Sequence, residues 1–136
     1  MSVHKDERSD SKLSLFVASR ELACYTIQIC KNPKVFLPEY SVVTQEIVNL
    51  AMRIHGDLWT ANNIVVRSKE DLTERSQLQE RACRYCNQLL ADIDIAHKLF
   101  HLSAKRVEFW TTKIVSVRNT TRNWKKSDAD RYKQYR

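Results

Sequence analysis

The sequence predicts an all-α protein, an antiparallel up-down-up-down four-helix bundle, from three observations. The chain of 136 residues contains one glycine and two prolines, although hairpins and tight turns draw heavily on these residues. Four stretches carry apolar residues at alternating steps of three and four, which is the period of an amphipathic helix. The length suits one domain with its own core, and helices joined by short loops pack as such a bundle.

Helix 1 is predicted over residues 13–31, after a polar, flexible N-terminus of residues 1–12. Its apolar residues repeat every seven positions along two neighbouring lines. The helix is expected to end before Pro33, because the residue that precedes a proline is pushed out of the α region. Phe36 and Leu37 lie between the two prolines and are expected to cover the edge of the core.

Helix 2 is predicted over residues 41–65, with Ser41 as the N-cap. Gly56 lies inside this helix at a cost of about 1 kcal/mol relative to alanine, and its small size would allow another helix to approach closely. The predicted core positions follow at steps of three and four: Val43, Ile47, Leu50, Ile54, Leu58, Ala61 and Val65.

Helix 3 is predicted over residues 69–101 and helix 4 over residues 103–126, with Ser68 and Ser103 as their N-caps. The core positions of helix 3 are Leu78, Ala82, Cys86, Leu89, Ile93, Ala96 and Phe100. Those of helix 4 are Val107, Trp110, Ile114, Val117, Thr121 and Trp124, a spacing typical of bundles with interlocking side chains. Both tryptophans are therefore interpreted as core residues.

The residues that could carry catalysis or bind a metal form no complete set. Cys83 and Cys86 have C-x-x-C spacing, but they lie inside a helical run, so we interpret them as buried structural thiols rather than zinc ligands. His97 and His101 could share a metal, but no third ligand is indicated. Phosphate-binding loops, nucleophile elbows and Glu-x-x-His pairs are missing. The chain is therefore predicted to be non-enzymatic, without metal or cofactor.

The same sequence favours a cytoplasmic protein that does not enter a membrane. It contains no run of about 18 uncharged apolar residues. Its charged start, MSVHKDERSDSK, lacks the apolar region of a secretory signal. Four cysteines in such a chain are expected to be reduced thiols.

The excess positive charge is confined to the C-terminal part of the chain. Residues 105–136 contain ten Lys/Arg and three Asp/Glu, which gives the whole-chain net charge of +7, since residues 1–104 hold thirteen of each sign. A neutral body with one basic end is typical of a protein that meets a polyanion. Residues 127–136 are predicted to be a basic tail that follows a break at Ser127-Asp128-Ala129-Asp130.

The cations of helix 4 are the candidate binding residues. Several form a narrow stripe beside the core seam, where they could bind successive phosphates without reading bases. The predicted nucleic-acid-binding residues are Arg118, Arg122, Lys125, Lys126, Lys113, Arg131 and Lys133. The alternative is that they only complement the dipole at the end of the helix. Three arginines of helix 3 are offset by acids and are expected to form an ordinary solvated face: Arg75, Arg81 and Arg84.

A further pattern runs through residues 13–126. Its parts are Leu37-Pro38-Glu39, Arg81-Ala82-Cys83, Leu89-Leu90, Ile93-Asp94-Ile95-Ala96, Leu102-Ser103, Arg106, Trp110, Val117-Arg118-Asn119 and Trp124. The last tryptophan, in an Arg-x-x-x-x-x-Trp setting, is the most telling. With these residues the chain resembles the bacterial and phage family of accessory variability determinants (Avd) of diversity-generating retroelements. It also resembles the related four-helix proteins encoded in intervening sequences of bacterial 23S ribosomal RNA genes.

The resemblance implies a cyclic homo-oligomer, a homopentamer in which five bundles form a barrel. It also implies a non-enzymatic accessory subunit that binds the retroelement's reverse transcriptase and nucleic acid, including the template RNA, to support mutagenic retrohoming. Apolar residues outside the seams of helices 1 and 3 also favour an oligomer: Phe16, Ala23, Tyr85 and Ile95. Two alternatives stay open. One is a four-helix protein of the ribosomal intervening-sequence type, whose role is unknown, and the other is a cytoplasmic adaptor that binds only proteins.

Overall fold

The computed structural model describes the backbone of residues 3–136 and the side chains of residues 12–136. It contains four long helices: α1 (Val3–Cys30), α2 (Ser41–Asn63), α3 (Lys69–Leu99) and α4 (Ala104–Arg131). Short 3-10 turns cover Pro38–Tyr40 and Lys133–Tyr135, and the described residues include no strand. The predicted all-α class and four-helix bundle are confirmed.

The four helices form a closed ring. Each helix packs on its neighbours in sequence, and α4 packs back on α1. Neighbouring helices run in opposite directions: Arg75 of α3 meets Asp128 of α4, whereas Asn87, farther along α3, meets the earlier Arg118. Side-chain contacts at the other three interfaces follow the same reversed order. The result is an up-down-up-down arrangement.

The core fills the centre of this ring with the predicted seams. Trp110 is fully buried, and its Nε1–H donates to Thr26 Oγ1 at 3.0 Å. Trp124 is also buried, so both tryptophans are core residues as predicted. Phe36 packs on the ring of Phe100 and covers one end of the core. Further core side chains are Leu15, Leu22, Ile47, Leu50, Ile54, Leu58, Leu89, Ile93, Ile114 and Val117.

Helix α1 begins ten residues earlier than the sequence predicts, at Val3. Residues 3–12 of the predicted flexible terminus are therefore helical, and residues 1–2 lie outside the described residues. The segment has no apolar period to reveal a helix, but it contains several good helix formers and neither glycine nor proline. The helix ends at Cys30, shortly before Pro33.

Helix α4 continues to Arg131, through the predicted break at Ser127-Asp128-Ala129-Asp130. The break was expected because polar residues interrupt the apolar seam. Asp128, however, is buried against α3 and takes the next core position of the seam. Most of the segment predicted as a basic tail is therefore helix, followed by the short 3-10 turn.

Two of the three predicted N-caps are confirmed. The hydroxyl groups of Ser68 and Ser103 each accept a backbone N–H bond at 3.1 Å from the residue three positions later. Ser41 is instead the first residue of α2, and Tyr40 precedes it without a side-chain cap. The 3-10 turn that leads into α2 is continuous with its first turn, which removes the need for a capping side chain.

The region around the end of α2 differs from the prediction at two positions. A Cβ atom added to Gly56 would meet nothing within 4 Å, so this glycine faces open space and the expected close helix approach is wrong. Val65 is 63% exposed, because α2 ends at Asn63 and the chain turns. Val66 is buried in its place.

Helix α3 ends at Leu99, two residues before the predicted end. His101 adopts a left-handed backbone conformation with φ of 54°, and the Leu102 N–H donates to the His97 carbonyl at 3.2 Å. This is the closed turn that commonly ends a helix, usually with glycine at the left-handed position. His97 and His101 therefore do not share one helical face as a metal pair would require.

Candidate nucleic-acid interface

Four of the predicted binding residues lie along the edge where α4 packs on α3: Arg118, Arg122, Lys125 and Lys126. The last three line an open groove of about 610 Å³ together with Asn119, Asn123, Glu80 and Ala129. All of its lining residues except Ala129 are polar or charged, and the groove is wide open, so it can accept a charged chain lying across it. It has no enclosed space for a small substrate.

The four cations differ in how strongly they are engaged. Arg118 Nη1 donates to Asn87 Oδ1 at 2.7 Å, and Lys125 Nζ donates to Glu80 Oε2 at 2.8 Å. Arg122 and Lys126 are exposed and make no hydrogen bond or ion pair with any residue that the structure describes. These two side chains therefore have no hydrogen bond or ion pair to break before they contact an anion.

The electrostatics around Glu80 add a fifth cation, Arg84 of α3. The hydrogen bond from Lys125 and its charge, then the charges of Arg84 and Arg122, lower the pKa of the Glu80 carboxyl. Sequence reasoning placed Arg84 on an ordinary solvated face. The antiparallel register of α3 and α4 places Arg84 on this edge. The α3 residues that contact Lys125 and Arg118 lie on either side of Arg84 in the sequence. We call Arg84, Arg118, Arg122, Lys125 and Lys126 the basic edge.

The other three predicted binding residues lie elsewhere. Lys113 Nζ lies 4.7 Å from the ring centre of Phe109 and 5.6 Å from that of Tyr25, on the side of α4 that faces α1. Arg131 lies on the same side, in the last turn of α4. Lys133 is exposed in the C-terminal 3-10 turn. The structure does not bring these cations together with the basic edge.

Arg75 contradicts the predicted solvated face of helix 3, since it is only 4% exposed. Its Nε and Nη2 donate to the two carboxylate oxygens of Asp128 at 2.8 and 3.0 Å, and its Nη1 donates to the Ile64 carbonyl at 3.1 Å. Gln79 Nε2 also donates to Asp128 at 2.8 Å. The buried network thus joins the ends of α2, α3 and α4.

Arg81 also differs from a free surface cation. Its Nε and Nη2 donate to the two oxygens of the buried Asp57 carboxylate at 2.9 and 2.6 Å. These hydrogen bonds, and then the negative charge, raise the pKa of Arg81. Of the three helix 3 arginines, only Arg84 is therefore available to contribute charge to the basic edge.

The cysteines beneath the basic edge are buried, as predicted. Cys83 Sγ lies 3.7 Å from the Arg118 carbonyl oxygen. Burial raises the pKa of the Cys83 thiol and raises that of Cys86 to about 12, so both thiols are protonated at neutral pH and are poor nucleophiles. In the part of the chain that the structure describes, no group of three or more His, Cys, Asp or Glu could hold a metal ion.

Comparison of the chain with protein-family models, with curated proteins and with solved structures finds no significant match. Within the described residues, none of the helices combines the length and the apolar character needed to cross a lipid bilayer. The function must therefore be inferred from the basic edge and from the surfaces around it.

Proposed function

We propose that this protein is a non-enzymatic accessory protein that binds RNA or DNA through phosphate contacts along the basic edge. The observation that carries the proposal is the concentration of charge. Residues 105–136 supply the whole net charge of +7, and four of their cations lie with Arg84 on one edge of the bundle. Cations grouped in this way neutralise phosphates and release counterions, which drives binding that does not depend on base sequence.

The arrangement favours backbone contact over base readout. Arg122 and Lys126 are one helical turn apart, which separates them by about 6 Å along the helix axis, so two phosphates of one strand can be contacted in succession. Asn119 and Asn123 lie in the same groove and can donate to phosphate or sugar oxygens. Such contacts fix the position of a strand but carry no sequence information.

The proposal is tested by removing the two unengaged cations. Arg122→Gln/Lys126→Gln should weaken binding of a fluorescent RNA or DNA oligonucleotide, measured by anisotropy over a series of salt concentrations. If each residue contacts one phosphate, the slope of log K against log salt should flatten by about 1.4 for single strands and about 1.8 for duplex DNA. Circular dichroism should not change, because both side chains are exposed.

The matched control is Lys31→Gln/Lys34→Gln. Both lysines are exposed in the loop between α1 and α2, at the opposite end of the bundle from the Arg75–Asp128 pair. Their replacement lowers the net charge by the same amount but should leave the salt slope nearly unchanged. Equal effects of the two double variants would mean that overall charge, and not the basic edge, governs binding.

The resemblance to the Avd family leads us to propose a reverse transcriptase as protein partner and a homopentamer as assembly. The support in this chain is apolar exposure on α1 and α2, where Leu13 is 64% and Trp59 58% exposed. An oligomer would repeat the basic edge in every subunit and strengthen weak single contacts through effective concentration. Of the four residues that favoured an oligomer in the sequence, Phe16, Ala23 and Tyr85 pack within their own bundle, and only Ile95 is exposed.

Light scattering at micromolar concentration tests the assembly, and a monomer alone would exclude it. Co-purification with a reverse transcriptase encoded beside this gene tests the partner. The exposed apolar side chains would equally serve an adaptor that binds only proteins. That alternative is favoured if the chain binds its partner but shows no salt-dependent binding of nucleic acid.

A further inference from the structure

A cavity of about 400 Å³ lies between the first turns of α3 and the last turns of α4. The C-terminal 3-10 turn lies against it, because Tyr135 and Arg136 belong to its described lining. Pockets that bind small molecules typically measure about 300–1,000 Å³ and combine apolar surface with a few polar groups. The cavity is therefore large enough for one such group, and its lining decides which group fits.

The apolar part of the lining suits a flat ring. Leu72 is buried and Ala129 is half-buried, and both line the cavity. Tyr135 supplies a half-buried aromatic ring, whose centre lies 6.5 Å from that of the Tyr132 ring. Every nucleobase has a π face that can stack on an aromatic side chain. A planar heterocycle is therefore the kind of group that this part of the lining can hold.

The neutral polar groups of the lining suit the edge of such a ring. They are Thr73, Ser76 and Gln77 of α3, and each is at least partly exposed. Hydroxyl and amide groups both donate and accept hydrogen bonds, as the edges of nucleobases do. Proteins that bind single strands recognise unpaired bases by this combination of aromatic stacking and hydrogen bonds to base edges.

The charges of the lining favour an anionic ligand. Lys69 and Arg136 are exposed, and their side chains make no hydrogen bond or ion pair with any residue that the structure describes. The carboxylate in the described lining, Asp128, is buried and paired with Arg75. It therefore does not compete for the two free cations. A nucleotide, with its planar base and its phosphate, matches both the ring surface and the charge.

The cavity continues into the groove of the basic edge. Lys125 and Ala129 line both, so a strand whose phosphates lie along Arg122 and Lys126 reaches the cavity without leaving the surface of α4. A free nucleotide would occupy the cavity alone and would gain nothing from the basic edge. The continuity of the two surfaces therefore favours a strand over a free nucleotide.

We propose that this cavity holds one unpaired base of a single-stranded nucleic acid, with the base on Tyr135 and a neighbouring phosphate beside Lys69 and Arg136. The inference rests on the proposed function, because the basic edge binds the rest of the strand. It adds a selectivity that phosphate contacts cannot supply. The bases of a duplex are already paired and stacked, so only a single strand can place a base in the cavity.

The test compares a single strand with an abasic strand of the same length, which keeps every phosphate but lacks the bases. Fluorescence anisotropy with the full chain should show about tenfold tighter binding of the normal strand, a difference typical of one stacked base. The slope of log K against log salt should be the same for both strands, because both present the same phosphates. Equal, salt-dependent binding of the two strands overturns this inference alone. If neither strand binds, the proposed function fails as well.

Tyr135→Ala assigns the effect to the cavity. It should bind the normal strand about tenfold more weakly than the parent does, with an unchanged salt slope, because a neutral ring displaces no counterions. Its binding of the abasic strand and of a duplex should equal that of the parent. Tyr135→Phe keeps the ring and should bind every probe as the parent does. If Tyr135→Ala still distinguishes the normal strand from the abasic strand, the base does not lie in this cavity and the inference is overturned.

The matched control is Phe109→Ala, which removes another aromatic ring from α4. Phe109 is 54% exposed and lies on the side of α4 that faces α1, so its loss should leave the binding of all three probes unchanged. Equal losses in Phe109→Ala and Tyr135→Ala would mean that exposed aromatic rings in general bind bases, which overturns the assignment to the cavity. The comparison of the two strands with the parent chain needs no variant and decides independently of folding.

A nucleoside monophosphate distinguishes a free nucleotide from a strand. It can enter the cavity but cannot also reach the basic edge, so it should displace the labelled strand far more weakly than an unlabelled strand does. If the monophosphate competes as strongly as the unlabelled strand, the occupant is a free nucleotide and the assignment to a strand is overturned.

Discussion

The buried Arg75–Asp128 pair gives the sharpest stability prediction. Asp128→Ala removes the carboxylate that accepts two bonds from Arg75 and one from Gln79. Arg75 then keeps only its bond to the Ile64 carbonyl and remains a charge that is 4% exposed. A buried charge left without its partner is strongly unfavourable, because neither water nor an opposite charge compensates for its desolvation.

The expected loss is about 3–5 kcal/mol of unfolding free energy. The total stability of a domain is about 5–15 kcal/mol, so this loss is a large fraction of it. For a chain of this size it corresponds to a fall in melting temperature of roughly 10–20 °C. Arg75→Met/Asp128→Leu replaces both charges with apolar groups. It should cost less than Asp128→Ala alone, although the Gln79 amide and the Ile64 carbonyl then lack partners.

Urea denaturation followed by circular dichroism measures these losses, with midpoints compared at an unchanged slope. The matched control is Asp130→Ala, which makes the same chemical change two residues later on an exposed position of α4. It should change stability by no more than about 0.5 kcal/mol. A cost below about 1 kcal/mol for Asp128→Ala, or equal costs for the two single variants, would refute the buried ion pair.

Three smaller predictions concern local structure. Gly56→Ala should stabilise the protein by about 1 kcal/mol in urea denaturation, because α2 has open space for the added methyl group; a loss of stability would show a contact there. His101→Gly should also stabilise by up to about 1 kcal/mol, because glycine adopts φ of 54° without strain; unchanged or reduced stability would contradict this. The Glu80 carboxyl should titrate below 4.5 by NMR, and Lys125→Met should raise its midpoint. Since the folded pKa of Glu80 is lowered, its contribution to stability is present above pH 4.5 and is lost as the pH falls through the folded pKa; an unchanged midpoint in Lys125→Met would show that the pair does not form in solution.

The helical seams could be predicted because apolar side chains recur in the sequence at the helical period of three and four residues. Trp110 and Trp124 lie in the core for that reason. The polar end of the core was missed, because Arg75, Gln79 and Asp128 look like surface residues in the sequence. Continuing the seams of α3 and α4 at the same steps of three and four reaches Arg75 and Asp128, whereas Gln79 lies beside the predicted core residue Leu78. The spacing therefore indicated buried positions there, but polar and charged side chains are more typical of a surface, so these residues were not assigned to the core.

The basic edge was only partly predictable, because a surface cluster depends on which helices are neighbours and in which register. Arg122 and Lys126 follow from the geometry of one helix. Arg84 lies beside these cations only because α3 packs on α4. Arg81 does not contribute to the edge, because its guanidinium is paired with Asp57 of α2. Contacts of this kind appear only when the whole bundle is assembled.

The continuation of α4 to Arg131 has a thermodynamic consequence for any polyanion that binds here. A basic tail without structure would have to fold on its ligand, and coupled folding gives a large negative change in heat capacity. The cations of the basic edge instead project from helices that are already formed. Binding therefore need not order much additional backbone. Calorimetry at several temperatures should therefore show a small heat-capacity change, with the favourable free energy dominated by the release of counterions.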